Sequence, residues 1–276
     1  MELFLTFGLP VLVGVFIGIL SGLLGIGGGT IMVPVFRLAF GLSPLASTAT
    51  SLFTIIPTSI SGAVSHIKGK TCVVALGVAM GIGGALTSPV GVWLASLSPA
   101  WLVMLAAALI IGYSAVNMLR KAIKAPSKRK SSAAGAGVGN HDEAAPASPK
   151  LSRKQLLIGV AIGLGAGLMS GYVGVGGGFI MVPLMLSLIH IPMKLASGTS
   201  LIAILILAIP GTIENGLVGN IDYVVGLSVA VGSIPGAVLG AWLVKRVPER
   251  ALRFIFGGFL IVAAIVLFLN EFGVLG

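Results

Sequence analysis

The sequence has few charged residues and a single cysteine. Only 9% of its 276 residues are charged, with seven acidic residues in the whole chain, and 57% are hydrophobic. This balance excludes an ordinary soluble protein, in which about a quarter of the residues are charged. The single Cys72 excludes a disulfide or a thiolate metal site within one chain. We therefore expect an integral membrane protein.

Motifs for catalysis and metal binding are also missing. The sequence has no HExxH, no CxxC, no paired aspartates inside an apolar run and no Ser/His/Asp set. We therefore predict that the protein is not an enzyme and uses no cofactor or metal. The N-terminus MELFLTFGLP has no basic residue before its apolar run, so Leu3 onward is interpreted as a first span rather than a cleaved signal peptide.

The apolar residues fall into ten segments. They lack the alternating polar residues of a membrane β-strand, and several are as long as the roughly 20 residues of a spanning helix. We therefore predict an all-α polytopic membrane bundle with two repeats of five segments. The segments are 3–24, 28–41, 46–65, 72–96 and 100–119, then 156–173, 177–191, 195–214, 222–244 and 251–269.

A long internal duplication relates the two sets of segments. The stretch GILSGLLGIGGGTIMVP (18–34) returns 149 positions later as GLMSGYVGVGGGFIMVP (167–183). The same offset pairs TSL at 50–52 with TSL at 199–201, and Trp93 with Trp242. We call residues related by this offset counterparts. Residues 1–120 are predicted to form the first transmembrane repeat, and residues 155–276 the second.

Residues 121–154 separate the repeats and have a different composition. Their centre, SSAAGAGVGNHDEAAPASP, is rich in Ala, Gly, Ser and Pro, and basic residues flank it on both sides. This composition predicts a disordered basic linker. The formal net charge of +10 also raises the possibility of nucleic-acid binding, but no aromatic residues interleave these basic residues. We therefore expect no nucleic-acid partner.

The charges of the loops predict how each repeat lies in the membrane. With the linker in the cytoplasm, Lys68 and Lys70 lie inside, and their counterparts beside Glu214 lie outside. The uncharged SLSPA (96–100) then lies outside, whereas its counterpart KRVPER (245–250) lies inside, as the positive-inside rule requires. Two inverted repeats are therefore predicted, a pattern typical of secondary transporters with a substrate site between the repeats.

The glycine runs predict broken helices. After the first run, residues 30–40 provide only about 16 Å of helix against a hydrocarbon core of ~30 Å. Glycine N–H groups at such a break attract an anion without a formal charge. The candidate substrate-binding residues are Gly27, Gly28, Gly29, Thr50 and Ser51, with their counterparts Gly176, Gly177, Gly178, Thr199 and Ser200.

Close helix packing is the alternative role for these glycines. We assign Gly22 and Gly25, with their counterparts Gly171 and Gly174, to packing first. The runs also resemble a dinucleotide-binding loop, but no strand precedes either copy.

Polar and proline residues in the third segment of each repeat have two interpretations. His66 and its counterpart Asn215, with the adjacent Glu214, are candidates for a proton-coupling or gating site, or are polar residues in interfacial water. Pro57 and Pro210 are candidate hinges, or they produce static kinks.

The doubled motifs SGLLGIGGGTIMVP and SGYVGVGGGFIMVP, together with ATSLF and GTSLI, resemble the sulfite exporter TauE/SafE family of bacterial membrane transporters. The resemblance covers both repeats and leaves out the linker. It implies transport of sulfite, sulfoacetate or a related organosulfur or organic anion across the bacterial cytoplasmic (inner) membrane. The matching residues are Gly25, Gly27, Gly28, Gly29, Pro34, Thr50 and Ser51, then Gly174, Gly176, Gly177, Gly178, Pro183, Thr199 and Ser200.

The sequence therefore predicts a secondary transporter of small anions that works by alternating access at a site between the repeats. Its expected partners are the anion, a coupling proton or ion, and membrane lipids. A passive anion channel is one alternative. A membrane interaction protein that uses the basic linker to bind anionic lipids is the other.

Overall fold

The computed structural model describes residues 8–124 and 152–271, and these two stretches form ten helices with no strand. The first half contains α1 Leu9–Leu24, α2 Gly29–Leu38, α3 Pro44–Lys68, α4 Val74–Leu97 and α5 Ala100–Lys124. The second half contains α6 Arg153–Val173, α7 Gly178–Leu184, α8 Met193–Val218, α9 Tyr223–Leu243 and α10 Glu249–Glu271. A π-helical turn, Met185–Ile189, extends α7. The all-helical prediction is confirmed, and each predicted segment overlaps one helix.

The ends of the predicted linker are helical. Helix α5 continues to Lys124, and α6 begins at Arg153. Ser152 caps α6 with a capping box, in which the Ser152 N–H donates to Oε1 of Gln155 at 3.0 Å. This local hydrogen bonding starts the helix inside the range predicted as linker. The rest of the linker prediction lies outside the described residues.

Five of the described helices are long and apolar enough to cross a membrane. They are Val74–Leu97, Trp101–Arg120, Arg153–Val173, Met193–Val218 and Tyr223–Leu243. The 10 residues of α2 reach only about 15 Å, roughly half of the hydrocarbon core. The prediction of a short segment after the first glycine run is therefore confirmed. The five spanning helices make the chain a multi-pass membrane protein.

The two halves exchange their first helices. Helix α1 packs along α9, and its counterpart α6 packs along α4. Each first helix therefore lies against the fourth helix of the other half. Helix α3 also packs on its counterpart α8, and α5 packs on its counterpart α10. Because every one of these contacts joins the two halves, they form one bundle.

Glycine stripes allow the exchanged helices to approach backbone to backbone. On α1, a Cβ at Gly14, Gly18 or Gly22 would overlap a carbonyl oxygen of α9. The counterparts on α6 have the same relation to α4. The six pairs are Gly14–Val229, Gly18–Ser233, Gly22–Ala237, Gly163–Met80, Gly167–Gly84 and Gly171–Ser88. The assignment of Gly22 and Gly171 to packing is therefore confirmed.

The counterpart helices α3 and α8 pack against each other in opposite directions. A Cβ on Gly62 of α3 would lie 2.8 Å from Leu201, near the start of α8. A Cβ on Gly211, further along α8, would lie 3.4 Å from Leu52, near the start of α3. The two counterpart helices therefore run antiparallel, as inverted repeats require. The orientation of each half across a membrane stays a prediction.

We expect Gly18→Ala and Gly167→Ala to lower the melting temperature of the detergent-solubilised protein. Each added Cβ overlaps a backbone carbonyl group that has no rotamer to change, and such overpacking costs about 1–3 kcal/mol. Gly258→Ala is the matched control, because no atom lies within 4 Å of the added Cβ. Equal melting temperatures for the three variants would contradict the proposed role of the stripes.

Candidate functional site

Both glycine runs interrupt a helix with left-handed backbone. Gly25, Gly27 and Gly28 have φ values of 73°, 72° and 86°, and they connect α1 to α2. In the second half, Gly174, Gly176 and Gly177 have φ values of 73°, 80° and 68° and connect α6 to α7. A side chain is strained in this conformation, so glycine is required at these six positions. We call residues 25–28 and 174–177 the first and second breaks.

The two breaks lie against each other. A Cβ on Gly29 would lie 2.6 Å from the carbonyl carbon of Val175, and a Cβ on Gly178 would lie 2.6 Å from the carbonyl oxygen of Gly25. Ile55, near the middle of α3, and its counterpart Ile204, near the middle of α8, contact both breaks. The structure therefore brings the predicted glycines together halfway along the two central helices.

The breaks contain buried N–H groups without acceptors. In the first break the N–H groups of Ile26, Gly27 and Gly28 donate no hydrogen bond to any described residue, and the same holds for their counterparts at 175–177 in the second. All six residues are buried. Buried N–H groups without partners are rare in proteins. Consecutive N–H groups in left-handed backbone also form concave sites that attract anions.

The threonines predicted to bind substrate have other partners. The hydroxyl of Thr199 accepts a hydrogen bond from the backbone N–H of Val73 at 2.9 Å, just before α4. Its counterpart Thr50 accepts from the N–H of Asp222 at 2.9 Å, just before α9. Thr199 also donates to the carbonyl of Leu195 at 2.7 Å. Both threonines are therefore engaged in fixing the starts of α4 and α9.

The two predicted serines differ from each other. Ser200 donates to the carbonyl oxygen of Gly25 at 2.6 Å and so ties α8 to the first break. The hydroxyl of its counterpart Ser51 is buried and has no hydrogen-bond partner among the described residues. Ser51 is therefore the predicted side chain that keeps a donor available.

Two further hydroxyls, missed from the sequence, accompany the breaks. Ser21 and its counterpart Ser170 lie in the last turns of α1 and α6, immediately before the breaks. Both are fully buried, and their hydroxyls have no partner among the described residues. The signal was present, since a serine stands at the same place in both copies of the doubled motif.

Isoleucine side chains cover the breaks in this conformation. Ile55 and Ile204 are fully buried. The nearest atoms to a Cβ on Gly27 belong to Ile204, at 2.9 Å, and the nearest atom to a Cβ on Gly176 belongs to Ile55, also at 2.9 Å. The two isoleucines therefore pack directly against Gly27 and Gly176.

The candidate coupling residues do not form one group. The Nε2 of His66 lies 2.8 Å from the carbonyl oxygen of Gly22, and its Nδ1 lies 2.7 Å from the hydroxyl of Thr71. A Cβ on Gly198 of α8 would touch the His66 ring. Asn215 donates to the carbonyl of Gly211 at 2.8 Å. It lies on α8 roughly 25 Å from Gly198, the residue next to the His66 ring, and Glu214 precedes it in the chain.

The two candidate hinge prolines lie inside continuous helices. Pro57 lies inside α3 and Pro210 inside α8, and both helices continue past them, so their function as hinges stays a prediction.

Within residues 8–124 and 152–271, no three His, Cys, Asp or Glu side chains lie together in a way that suits a metal ion.

The two ends of the bundle are different. At the end where α3 begins, a cavity of about 190 Å³ contains Thr48, against which a Cβ on Gly174 of the second break would press. The other residues that line this cavity are Pro44, Leu45, Ala95, Ser96, Ser98 and Val103. This end of the second break is therefore next to an opening.

At the opposite end of the bundle, polar contacts join the start of α8 to α10 and to the loop after α9. The N–H of Met193 donates to Oε1 of Glu249 at 3.0 Å, and Arg253 donates to the same oxygen at 2.7 Å. The Nζ of Lys194 donates to the carbonyl oxygen of Lys245 at 3.0 Å. Glu249 and Arg253 correspond to Ala100 and Met104 in the first half, so the open end has no such contacts. We call this set of contacts the latch.

The comparisons with known proteins agree with this architecture. The model of a family described as "Sulfite exporter TauE/SafE" matches residues 10–267. The chain belongs to this family. Similar chains include YunE of Bacillus subtilis, which is 27% identical over 90% of this chain and 92% of its own length. MJ0441 of Methanocaldococcus jannaschii is 26% identical over 97% of both chains. Both are described as probable membrane transporter proteins, and no solved structure matches the chain.

We expect Thr199→Val in this TauE/SafE protein to lower the melting temperature without changing the affinity for a bound anion. The substitution leaves the buried Val73 N–H without its acceptor, which costs about 1–3 kcal/mol. Thr199→Ser, which keeps the hydroxyl, should restore most of the stability. A large loss of anion affinity at unchanged stability would instead assign Thr199 to the substrate site.

Proposed function

We propose that this TauE/SafE transporter carries small oxyanions, of which sulfite and sulfoacetate are the first candidates, and binds them at the two breaks. The buried N–H groups without acceptors are the observation that carries the proposal. Their partial positive charge favours an anion, and it disfavours a cation or a ligand that only donates hydrogen bonds.

The absence of formal charge at the breaks fits transport better than permanent binding. The breaks and the two isoleucines that cover them contain no charged residue. Conduction and transport need binding that is favourable enough for entry and weak enough for release. Backbone dipoles provide such an intermediate attraction, whereas a buried lysine would hold an anion more tightly.

We further propose that the site opens alternately to the two sides of the membrane. The antiparallel α3 and α8 support two inverted halves, which are typical of transporters with a site at the repeat interface. The cavity at Thr48 and the latch at Glu249 support a conformation that is open at one end and closed at the other. A passive channel is less well supported, because Ile55 and Ile204 cover the breaks.

The distribution of basic residues supports a location in the bacterial inner membrane with the latch facing the cytoplasm. A Cβ on Gly69 would lie 3.3 Å from Nζ of Lys245, which places the loop with Lys68 and Lys70 beside the latch. Lys194 also lies at this end. Basic residues concentrated at one end mark the cytoplasmic side. The predicted linker then follows on the same side.

The first test measures anion binding by thermal stabilisation. The purified protein is heated with sulfite, sulfoacetate, thiosulfate, sulfate, chloride or small carboxylates, and binding raises the melting temperature by mass action. We expect a selective shift with a sulfur oxyanion, and saturable uptake of the same anion into proteoliposomes. No shift with any anion would overturn the proposed substrate class, and uptake that does not saturate would favour a channel.

Gly28→Val and Gly177→Val test whether the breaks hold the anion. Each adds a branched side chain at a positive φ, so the local N–H groups must change direction. We expect both variants to insert in the membrane and to lose the anion-dependent shift. Gly258→Val makes the same change in open space on α10 and should keep the shift. Retained binding in both break variants would contradict the proposed site.

Glu249→Ala tests the latch, and the rate at which the Cys72 thiol is modified reports access to the latch end. Cys72, the single cysteine of the chain, is buried at the latch end, in the loop that joins α3 to α4. Removal of the carboxylate frees the start of α8 from α10, and we expect N-ethylmaleimide to modify Cys72 several-fold faster. Asp222→Ala is the control, because it removes a carboxylate that caps α9 at Val225. Equal modification rates for the wild type and Glu249→Ala would show that the latch does not control access.

A further inference from the structure

Side chains of both central helices are hydrogen-bonded to the end of α1 and to the first break. Ser200 of α8 donates to the carbonyl oxygen of Gly25 at 2.6 Å, and Nε2 of His66 on α3 lies 2.8 Å from the carbonyl oxygen of Gly22. A carbonyl oxygen only accepts hydrogen bonds, so Nε2 is the donor of the second bond. Carbonyl groups at the end of a helix have no acceptor role within it, so both bonds use groups that would otherwise be unpaired.

The counterpart bonds are absent at the second break. Ser51, the counterpart of Ser200, is fully buried, and its hydroxyl has no partner among the described residues. Asn215, the counterpart of His66, donates at 2.8 Å to the carbonyl oxygen of Gly211 on its own helix. The two halves have the same donors at related positions, but only the first break is held by them.

Ser51 lies on the helix face that approaches the second break. A Cβ on Gly174 would press against Thr48, which precedes Ser51 by one turn on the same face of α3. The counterpart of Thr48 is Ser197, and a Cβ on Gly25 would overlap the Ser197 backbone. The start of each central helix therefore packs on the break of the other half, and only the bond from Ser51 is missing.

Asn215 is placed near the end of α6 in a similar way. It lies one turn beyond Gly211, and a Cβ on Gly211 would lie 2.9 Å from Oγ of Ser88 on α4. A Cβ on Gly171 of α6 would overlap the carbonyl oxygen of the same Ser88. An amide group has two N–H donors, and one of them is enough for the bond to Gly211. The other is available for a carbonyl at the end of α6.

We infer that these side chains form two alternating gates. In the described conformation Ser200 and His66 hold the first break, at the latch end. When the latch end opens, Ser51 donates to the carbonyl of Gly174 and Asn215 to that of Gly171, and the cavity end closes. The four side chains are positioning residues, because they bond to the main chain rather than to the transported anion.

The inference rests on the alternating access proposed above. Inverted repeats undergo the same change in opposite directions, so each half in one conformation matches the other half in the second. The cavity beside Thr48 and the bonded latch at Glu249 agree with the gates, because they lie at the end of the unbonded and the bonded break respectively.

Two thiols report on the two ends of the purified protein in nanodiscs. Cys72 is buried at the latch end, where it packs with Leu201 and Ile202 of α8. Ser96 is exposed and lines the cavity at the other end. Ser96→Cys in a Cys72→Ala background therefore gives the second reporter. The rate of modification by N-ethylmaleimide is measured at each thiol, without any anion.

We expect the two serine substitutions to change the Cys72 rate in opposite directions. Ser200→Ala removes a bond of the described conformation, so Cys72 should react about fivefold faster, the change in population expected for one hydrogen bond. Ser51→Ala removes a bond of the other conformation, so Cys72 should react about fivefold slower. Asn215→Ala should also slow this reaction. In Ser200→Ala the thiol of Ser96→Cys should react no faster than before.

Ser59→Ala is the matched control for Ser51→Ala. Ser59 is also a fully buried serine of α3 whose hydroxyl has no partner among the described residues, but its counterpart is Ala208. Its Cys72 rate should equal that of the wild type. An equal slowing in both variants would indicate a general effect of hydroxyl removal and would overturn the inference.

The remaining outcomes separate the gates from the proposed function. An unchanged or faster Cys72 reaction in Ser51→Ala contradicts the gates, and so does a Ser200→Ala variant in which both thiols react faster, which is general loosening. If the wild type still binds and transports an anion in either case, the proposed function stands. If no anion is bound but the Cys72 rates change in opposite directions, the gates stand and the proposed substrate class fails.

Discussion

The close approach of two pairs of backbones is the contact on which the rest of this structure depends. Carbonyl oxygens of α9 and α4 occupy the space where the glycines of α1 and α6 would carry a Cβ. Each glycine stripe ends three residues before its break, at Gly22 and Gly171. Because α1 and α6 are held by the opposite half, the breaks that follow them meet near the middle of α3 and α8. The contact between the breaks is therefore a consequence of helix exchange.

The chemistry at the centre follows from this geometry. A helix that stops inside the bundle leaves backbone donors that would be paired in a continuous helix. Here the residues packed against Gly27 and Gly176 are the apolar Ile55 and Ile204 rather than a charged side chain. The breaks themselves contain no charged residue, so under the proposed function an anion meets backbone dipoles and no competing carboxylate.

Much of this architecture could be predicted from the sequence, because it depends on local properties of the chain. The apolar runs predicted ten helices, and the repeated glycines predicted the breaks, since positive φ is a property of a residue and its neighbours. The roles of Thr50 and Thr199 could not be predicted in the same way. Their hydroxyls pair with N–H groups of loops more than 120 positions away, and nothing in TSL specifies that distance.

His66 and Asn215 are counterparts that the fold does not bring together. Their matching positions suggested one site with Glu214, but antiparallel counterparts carry matching residues to opposite ends of a bundle. Equivalent positions meet only near the symmetry axis, as Ile55 and Ile204 do. A sequence repeat therefore shows which residues are related, and the fold decides which of them are neighbours.

The donors at the breaks belong to the main chain, and this has a consequence for how such proteins diverge. Substitution of a side chain cannot delete an amide group, apart from replacement by proline, whereas it readily changes the walls around that group. If the breaks bind substrate as proposed, a descendant of this chain can acquire a different substrate by substitution of the isoleucines while the amides stay in place. Under the proposed function, the main chain then preserves the attraction for an anion across such substitutions, and the surrounding side chains determine which anion is bound.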